Sequence, residues 1–198
     1  TQDNTGVEYY ATIFAVDESP LQEGLIWVGS DDGLIHLTKD GGATWENVTP
    51  KKIPDWMMIN SIDASSFDSG TAYIAGTRYK LGDFTPYLYV TDDYGKNWKP
   101  ITDGIKDEHF TRVLRSDKSN KNILYAGTET GMYSSYDRGN SWNEFQKNLP
   151  IVPITDLTIK DNSLIVATQG RSIWMIDDLT VFHQLTPSTD QIKLYKPK

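Results

Sequence analysis

The chain has 198 residues, of which 38% are hydrophobic, so it is long enough and apolar enough to bury the core of one domain. Acidic residues outnumber basic ones by 27 to 19, and the formal net charge of −8 argues against nucleic acid or an anionic membrane as the main partner. There is no cysteine, which excludes disulfides, thiol catalysis and cysteine-based metal sites. No apolar run approaches the length of a membrane span, so we expect no membrane insertion.

Four units of similar construction follow one another along the chain. In each unit, short runs that alternate apolar and polar residues are separated by Gly, Asp and Asn, which predicts strands and hairpins and favours no helix. The first strands are predicted at residues 10–16, 59–64, 110–115 and 154–159, and the fourth strands are predicted to begin at Trp45, Trp98, Trp142 and about Val181. The units are assigned to residues 1–50, 51–102, 103–149 and 150–187, with 188–198 as an exit segment toward a further domain.

An eight-residue pattern, [ST]-x-D-x-G-x-x-W, occurs three times and marks the turn before the fourth strand of the first three units. Its Asp positions are 53 and 44 residues apart (93 − 40 and 137 − 93), an interval typical of repeat architectures. Its fixed residues are Asp40, Gly42 and Trp45, then Asp93, Gly95 and Trp98, then Asp137, Gly139 and Trp142. In the fourth unit the pattern has decayed to Asp177-Asp178-Leu179-Thr180, without Gly or Trp.

Each residue type in the pattern has a structural use in a hairpin turn. An Asp carboxylate accepts hydrogen bonds from backbone N–H groups of its own turn, and a Gly two positions later supplies a positive φ. The Trp buries a large apolar face between neighbouring sheets while its N–H finds a partner. Catalytic or metal-binding Asp residues are the alternative, but three equivalent copies spread around a ring do not converge on one substrate. We therefore interpret the pattern as structural and predict neither a metal nor a cofactor.

Four-stranded antiparallel units at this spacing predict an all-β fold made of four β-propeller blades. A double-sheet sandwich is the alternative, although a sandwich does not need a repeated turn. Propellers with this turn usually have more blades than the four that fit here. We therefore expect part of a larger ring, completed by the rest of a longer chain or by a companion chain, rather than an unusually small ring.

The repeated turn is similar to the Asp-box, or BNR repeat, of sialidase-like and sortilin-like propellers. Further stretches resemble the last blades of large exported bacterial BNR-repeat proteins, often labelled glycosyl hydrolases: residues 27–33, 78–87, 110–113, 125–131 and 167–179. The resemblance covers most of the chain and implies a secreted, periplasmic or cell-surface bacterial protein several times this length. Gln169 departs from the family, in which a His is expected before the Gly-Arg-Ser sequence.

The boxes are expected on one face of the ring, so a ligand site is expected on the opposite face, where the strand 2–3 turns and the blade connections lie. The candidate binding residues on that face are Trp56, Arg78, Tyr79, Lys80, Asp83, His109, Glu129 and Arg171. The longest strand 2–3 insertion contains Arg78, Tyr79 and Lys80, and it is either a binding loop or a brace between blades. Packing between blades is the alternative role for Trp56, and a salt bridge to a neighbouring blade is the alternative for Arg171.

Three functions compete. The favoured one is a non-catalytic propeller module that binds protein, peptide or glycan outside the cell, and no catalytic residue is assigned. The alternative is part of a glycoside hydrolase: a sialidase needs an arginine triad with a Tyr–Glu pair, and a xyloglucanase needs two carboxylates about 6–10 Å apart. Arg112 and Arg115 are predicted on opposite sides of one strand, so a triad is not supported, and no spacing marks a carboxylate pair. An assembly factor of the kind found in photosynthetic organisms is the third interpretation.

Overall fold

The structure is a computed structural model that describes residues 11–185 and 194–196. In this part of the chain, strands β1 to β15 form four antiparallel sheets, three with four strands and the last with three. The first sheet consists of β1 (Ile13–Glu18), β2 (Ile26–Ser30), β3 (Ile35–Thr38) and β4 (Glu46–Asn47). The second consists of β5 (Met58–Ala64), β6 (Ala72–Arg78), β7 (Asp83–Thr91) and β8 (Lys99–Pro100), with a 3-10 turn at Tyr79–Leu81.

The remaining two sheets and one short helix follow in chain order. The third sheet consists of β9 (Thr111–Ser116), β10 (Leu124–Thr128), β11 (Gly131–Ser135) and β12 (Asn143–Glu144). The fourth consists of β13 (Ile154–Lys160), β14 (Ser163–Thr168) and β15 (Ile173–Ile176), and the helix α1 (Thr180–His183) comes after it. The predicted exit segment 188–198 lies outside the described residues, apart from 194–196, and so does Tyr10 at the predicted start of the first strand.

Each sheet is a meander in which consecutive strands pair with each other. The first strands of the sheets, β1, β5, β9 and β13, pack side by side in that order. Residues of all four strands line an axial cavity of about 290 Å³. Sheets that radiate from a shared axis are β-propeller blades, which confirms the predicted all-β propeller fold. The sheets are called blades 1 to 4 below.

Burial differs between the middle blades and the end blades. Strands β10 and β11 of blade 3 are buried along their whole length, because this sheet is covered on both faces by neighbouring blades. In blade 1, β1 has a single fully buried residue, and in blade 4, β15 has none. Among the described residues, blades 1 and 4 therefore each have one face that no other sheet covers, and the four blades form part of a larger propeller.

In all three boxes the Asp side chain accepts hydrogen bonds from residues of its own turn. Asp40 Oδ1 accepts hydrogen bonds from the Thr38 hydroxyl (2.7 Å) and the Thr44 N–H (2.9 Å), while Oδ2 accepts one from the Thr44 hydroxyl (2.6 Å). The second and third boxes repeat this arrangement around Asp93 and Asp137. Each carboxylate is occupied within its own turn, so it shapes the backbone there and is not directed at a ligand.

The box Trp joins a blade to the one before it. Trp98 Nε1 donates a hydrogen bond to the carbonyl oxygen of Val48 (2.8 Å), and Trp142 Nε1 donates one to that of Ile101 (2.7 Å). Both acceptors lie three residues after the Trp of the preceding box. Gly95 packs on the same acceptor residue, since an added Cβ would lie 2.6 Å from Val48 Cβ and the φ of Gly95 is +79°. The box Gly thus also allows close contact between blades.

In blade 4, the predicted fourth strand at about Val181 is wrong, because helix α1 lies at that position. The degenerate box still forms the turn: Leu179 N–H donates to Asn162 O (2.9 Å), as Arg138 N–H does to Asn122 O in blade 3. Without the box Gly and Trp, however, the chain continues into one helical turn instead of a strand. His183 Nε2 then lies 2.8 Å from a carboxylate oxygen of the buried Asp117, so an imidazole–carboxylate contact ties α1 to blade 3.

Candidate binding site on the strand 2–3 face

A cavity of about 240 Å³, called the blade 1–2 cavity below, opens between blades 1 and 2 on the face opposite the boxes. Its walls come from the β2–β3 turn, the connection between the two blades and the β6–β7 insertion. The lining residues are Asp31, Trp56, Met58, Thr77, Arg78, Tyr79, Lys80 and Leu81. Four candidates from the sequence, Trp56, Arg78, Tyr79 and Lys80, are thus brought together.

The β6–β7 insertion is held in shape by Asp83. Its Oδ2 accepts hydrogen bonds from Arg78 Nη1 and from the Tyr87 hydroxyl, each at 2.7 Å, and its Oδ1 accepts one from Thr85 N–H at 3.0 Å. Between Arg78 and Asp83 the chain makes the 3-10 turn and leaves it through Gly82, whose φ of +74° is left-handed. The insertion is therefore a hairpin tip held in one conformation by the hydrogen bonds to Asp83, which are called the Asp83 staple below.

The environment of Asp83 holds it in the ionised form. Partial burial acts to raise its pKa, but the hydrogen bonds from Tyr87, Thr85 and Arg78 outweigh burial and lower the pKa to about 2. The carboxylate is therefore charged at neutral pH and has no proton to donate. Its function in this arrangement is to position the cationic and phenolic side chains around it.

An aromatic and cationic cluster supports the insertion from blade 3. The rings of Tyr79 and Phe110 are stacked, with centroids 5.4 Å apart, and the guanidinium of Arg112 lies over both rings, 5.6 Å and 5.2 Å from their centroids. Arg112 is in turn paired with Glu129, with Nη2 and Oε2 2.6 Å apart. The candidate Glu129 is therefore linked to the blade 1–2 cavity only indirectly, through Arg112 and Tyr79.

Two large apolar side chains of the cavity lining, Trp56 and Leu81, are exposed to solvent, and so is Phe84, which contacts Phe110 in the supporting cluster. Trp56, Leu81 and Phe84 are each about half exposed. The backbone of Trp56 has a φ of +60°, which is uncommon for a bulky residue and places strain at the edge of the site. At the cavity wall, Thr77 Oγ1 and Arg78 Nε are buried and have no hydrogen-bond partner among the described residues. Exposed apolar side chains beside a cavity make this region a candidate interaction site.

Two candidate residues lie elsewhere. His109 lines a separate cavity of about 350 Å³ beside blade 3, where its Nδ1 is 2.8 Å from the Tyr133 hydroxyl. The rim of that cavity carries a close Lys106–Glu144 ion pair. Arg171 is exposed in the β14–β15 turn, and its guanidinium donates a hydrogen bond to the carbonyl oxygen of Gly170. Neither residue contributes to the blade 1–2 cavity.

Sequence reasoning missed Thr77, Leu81 and Phe84. The signal for two of them is present, because Leu and Phe are apolar residues inside a polar, Gly-containing insertion, where they have no blade core to enter. Thr77 gives no such signal. Its side chain reaches the cavity because a register shift between Gly76 and Arg78 disturbs the strand pairing there.

Arg112 and Arg115 both border the axial cavity, as does Val113 between them. The opposite orientation of the two arginines stays a prediction. A register shift between β9 and β10 leaves Arg112 without a paired residue, which changes the alternation along the strand. No triad results, because Arg112 is paired with Glu129, while Arg115 binds Asp156 and backbone carbonyls.

The other carboxylate at the cavity is also engaged, since Asp31 Oδ1 accepts a hydrogen bond from Thr12 N–H at 3.0 Å. Across residues 11–185 and 194–196, no group of three or more His, Asp or Glu side chains is arranged to hold a metal ion. In the same residues, no helix is long and apolar enough to cross a membrane.

The radial sheets and the three boxes define the protein as an Asp-box β-propeller. A sequence profile described as "Sortilin, neurotensin receptor 3" matches residues 86–195, which is more than half of the chain, and the chain therefore belongs to the Sortilin-Vps10 family. The residues of the blade 1–2 cavity precede the matched segment, so family membership assigns them no role.

Similar proteins share the fold more than the sequence. The uncharacterized protein YCR101C of Saccharomyces cerevisiae is 26% identical in an alignment of 157 residues, and the match covers 68% of this chain and 81% of the yeast protein. The structure of YCF48 bound to D1 peptide aligns with a TM-score of 0.64 and 21% identity, over 86% of this chain and 53% of that one. A GH74 xyloglucanase from Xanthomonas campestris aligns with a TM-score of 0.62 and 16% identity, over 81% of this chain and 27% of the xyloglucanase. This chain spans about half of the YCF48 structure and about a quarter of the xyloglucanase.

Proposed function

We propose that the chain is a non-catalytic binding module of an exported protein, and that it binds an extended peptide segment of a partner at the blade 1–2 cavity. The observation that carries the proposal is the apolar cavity lined by two exposed side chains, Trp56 of the connection between the blades and Leu81 of the rigid insertion. Ordered loops on a stable scaffold are common binding sites. A role in the periplasm, in the medium or at the cell surface is part of the same proposal.

The dimensions of the site favour a side chain of a peptide over a larger ligand. Pockets for drug-sized molecules are roughly 300–1,000 Å³, whereas this cavity of about 240 Å³ is suited to one bulky side chain. Trp, Tyr and Arg, the residue types enriched at interface hot spots, all line it. Lys80 is exposed at its rim and supports selection of a segment with an acidic residue beside the bulky one. YCF48, which shares the fold, has been solved with a peptide.

Hydrolysis of a glycoside is less well supported by the carboxylates of this face. A general acid needs a raised pKa, so that it still carries its proton near neutral pH. The pKa of Asp83 is instead lowered to about 2, and Glu129 is held in an ion pair with Arg112. The similarity to a GH74 xyloglucanase concerns the fold.

The proposal is tested by selecting peptides from a display library against the chain and measuring their affinity by fluorescence anisotropy. We expect Trp56→Ala to weaken binding about 30-fold or more, the loss typical of a hot-spot residue. Trp45→Ala is the matched control, because this Trp is also half exposed but lies in the box of blade 1. Selected peptides that bind both variants equally, or turnover of xyloglucan by the wild-type chain, would contradict the proposal.

A further inference from the structure

Two neighbouring residues in the wall of the blade 1–2 cavity each have a buried polar atom with unmet hydrogen-bonding capacity. Thr77 is 1% exposed and lines the cavity, and its hydroxyl has no partner among the described residues. Arg78 Nε, in the next residue of the wall, is also buried without a partner in the described part of the chain. A buried donor or acceptor that is left unpaired costs free energy, so the wall favours a ligand that supplies the missing partner.

The Thr77 hydroxyl is an exception among the buried hydroxyls of the blades. Ser61 Oγ accepts a hydrogen bond from Leu114 N–H at 3.1 Å, and Thr111 Oγ1 donates one to the carbonyl oxygen of Tyr87 at 2.9 Å. Among the buried Ser and Thr side chains of residues 11–185, Thr77 is the one whose hydroxyl oxygen has no partner. Because buried hydroxyls are nearly always paired, an unpaired one in a cavity wall indicates a partner that binds there.

The charge and the donor pattern of the wall select a neutral hydroxyl. Arg78 Nη1 is already paired with Asp83 Oδ2 at 2.7 Å, so a ligand carboxylate would compete with Asp83 for the same cation. Arg78 Nε donates only, whereas the Thr77 hydroxyl both donates and accepts. The ligand atom that meets both groups must therefore accept a hydrogen bond, and a hydroxyl oxygen does so without adding charge.

The rest of the cavity favours a flat apolar body behind that hydroxyl. Its other walls include two aromatic and two aliphatic side chains: Trp56, Met58, Tyr79 and Leu81. The volume of about 240 Å³ suits one bulky side chain. Tyrosine combines an apolar ring with a polar end that finds a hydrogen-bond partner when it is buried. Phenylalanine lacks the polar end, and the indole N–H of tryptophan donates but does not accept.

We propose that the peptide residue in the blade 1–2 cavity is a tyrosine, whose hydroxyl oxygen bonds with the Thr77 hydroxyl and Arg78 Nε. The inference rests on the proposed peptide-binding function and deepens it, since it names the anchoring residue of the peptide. It also makes Thr77 a specificity-determining residue of this site.

The first test compares four versions of one peptide from the display selection, synthesised with Tyr, Phe, Trp or Glu at its bulky position. We expect the Tyr version to bind about 10-fold more tightly than the Phe version, as expected for the added hydrogen bonds of one hydroxyl. Fluorescence anisotropy measures all four affinities. Equal affinities of the Tyr and Phe versions, or tighter binding of the Trp or Glu version, would overturn the tyrosine assignment while peptide binding itself stands. A selection that yields no peptide would instead contradict the proposed function.

The second test removes the hydroxyl from the wall. Thr77→Val keeps nearly the same shape, and the preference for Tyr over Phe should largely disappear in this variant. Thr77→Ser retains a hydroxyl and should retain the preference, as should the control Thr158→Val, which changes an exposed residue of β13. A preference that survives Thr77→Val would overturn the proposal.

Urea denaturation separates this role of Thr77 from a role in folding. The hydroxyl of Thr77 has no partner within the described structure, so Thr77→Val should not lower the urea midpoint of the chain without peptide. A lowered midpoint would show that the hydroxyl serves the fold and would also overturn the proposal.

Discussion

The indole Nε1 of Trp98 donates a 2.8 Å hydrogen bond to the carbonyl oxygen of Val48 in the preceding blade. The hydrogen bonds of the Asp93 turn fix the position from which Trp98 reaches that carbonyl. The local structure of a box therefore determines a contact between blades. The ring of Trp98 also meets Trp27 of blade 1 edge to face, with centroids 6.0 Å apart. The boxes therefore stabilise the scaffold on which the opposite face is built.

The contribution of a box Trp depends on whether a blade precedes it. Trp142→Phe leaves the carbonyl of Ile101 without its donor inside the protein, so we expect a loss of about 1–3 kcal/mol in the free energy of unfolding. Trp45→Phe, at the open face of blade 1, should change this free energy by less than about 0.5 kcal/mol at low protein concentration. Urea denaturation of both variants checks the difference. Equal losses of unfolding free energy in the two variants would contradict this dependence on a preceding blade.

Acid should weaken the boxes. Hydrogen bonds from Thr44 and Thr38 lower the pKa of Asp40 to about 2. At Asp93 and Asp137, partial burial opposes the shift, but hydrogen bonds within the turn still lower the pKa. A carboxylate with a lowered pKa in the folded state adds stability above its unfolded pKa of about 3.9, and this stability is lost as the pH falls toward the folded value.

Asp40→Asn isolates this effect in one box. The variant should be less stable than wild type at pH 6, and the gap should narrow between about pH 4 and pH 2, where the wild-type carboxylate takes up its proton. Urea midpoints measured across this range check the prediction. A gap that is constant with pH would show that the charge of Asp40 does not matter for stability.

The Asp83 staple should control binding more than overall stability. Asp83→Asn removes the charge that Arg78 and the Tyr87 hydroxyl share, so the insertion should loosen and the affinity for a selected peptide should fall several-fold. Because the insertion is at the surface, the free energy of unfolding should drop by less than about 1 kcal/mol. Anisotropy and urea denaturation measure the two effects. Asp107→Asn, an exposed change on the same face, should alter neither, and an unaffected affinity in Asp83→Asn would count against the role of the staple.

Arg115 connects three blades near the axis. Its guanidinium donates to the carbonyl oxygens of Leu157 (2.9 Å) and Ile62 (3.4 Å) and to Asp156 (2.9 Å). Arg115→Lys keeps the charge but loses the planar guanidinium and its several N–H donors. We therefore expect the free energy of unfolding to fall by about 1–3 kcal/mol. Arg171→Lys is the control and should cost less than about 0.5 kcal/mol. Thermal denaturation compares the two, and similar melting temperatures would argue against Arg115 as a connector.

The fold was predictable because the boxes combine local and non-local information in eight residues. Thr38, Asp40 and Gly42 specify the turn, and the recurring Trp specifies the packing between blades, so local turn chemistry and repeat spacing indicate the same architecture. The fourth blade shows the limit of this reasoning. Once the Gly and Trp are absent, the turn survives through Leu179, but nothing in the sequence requires a strand at Val181.

The candidate site was predictable as a face but not as a set of residues. Topology alone places the β6–β7 insertion and the connection between blades 1 and 2 opposite the boxes, which brought Trp56, Arg78 and Lys80 into consideration. The bulges that bring Thr77 to the cavity and Arg112 to the axis depend on how two strands pair, and one-residue shifts of this kind leave no trace in composition or periodicity.

The claim that the strand 2–3 face binds a peptide is tested most directly by hydrogen–deuterium exchange of the chain with and without a selected peptide. We expect slower exchange on binding in residues 55–58 and 79–84, which surround the blade 1–2 cavity, and unchanged exchange in the boxes at 40–45, 93–98 and 137–142. Protection in the boxes without protection around Trp56 and Lys80 would contradict the assignment of this face.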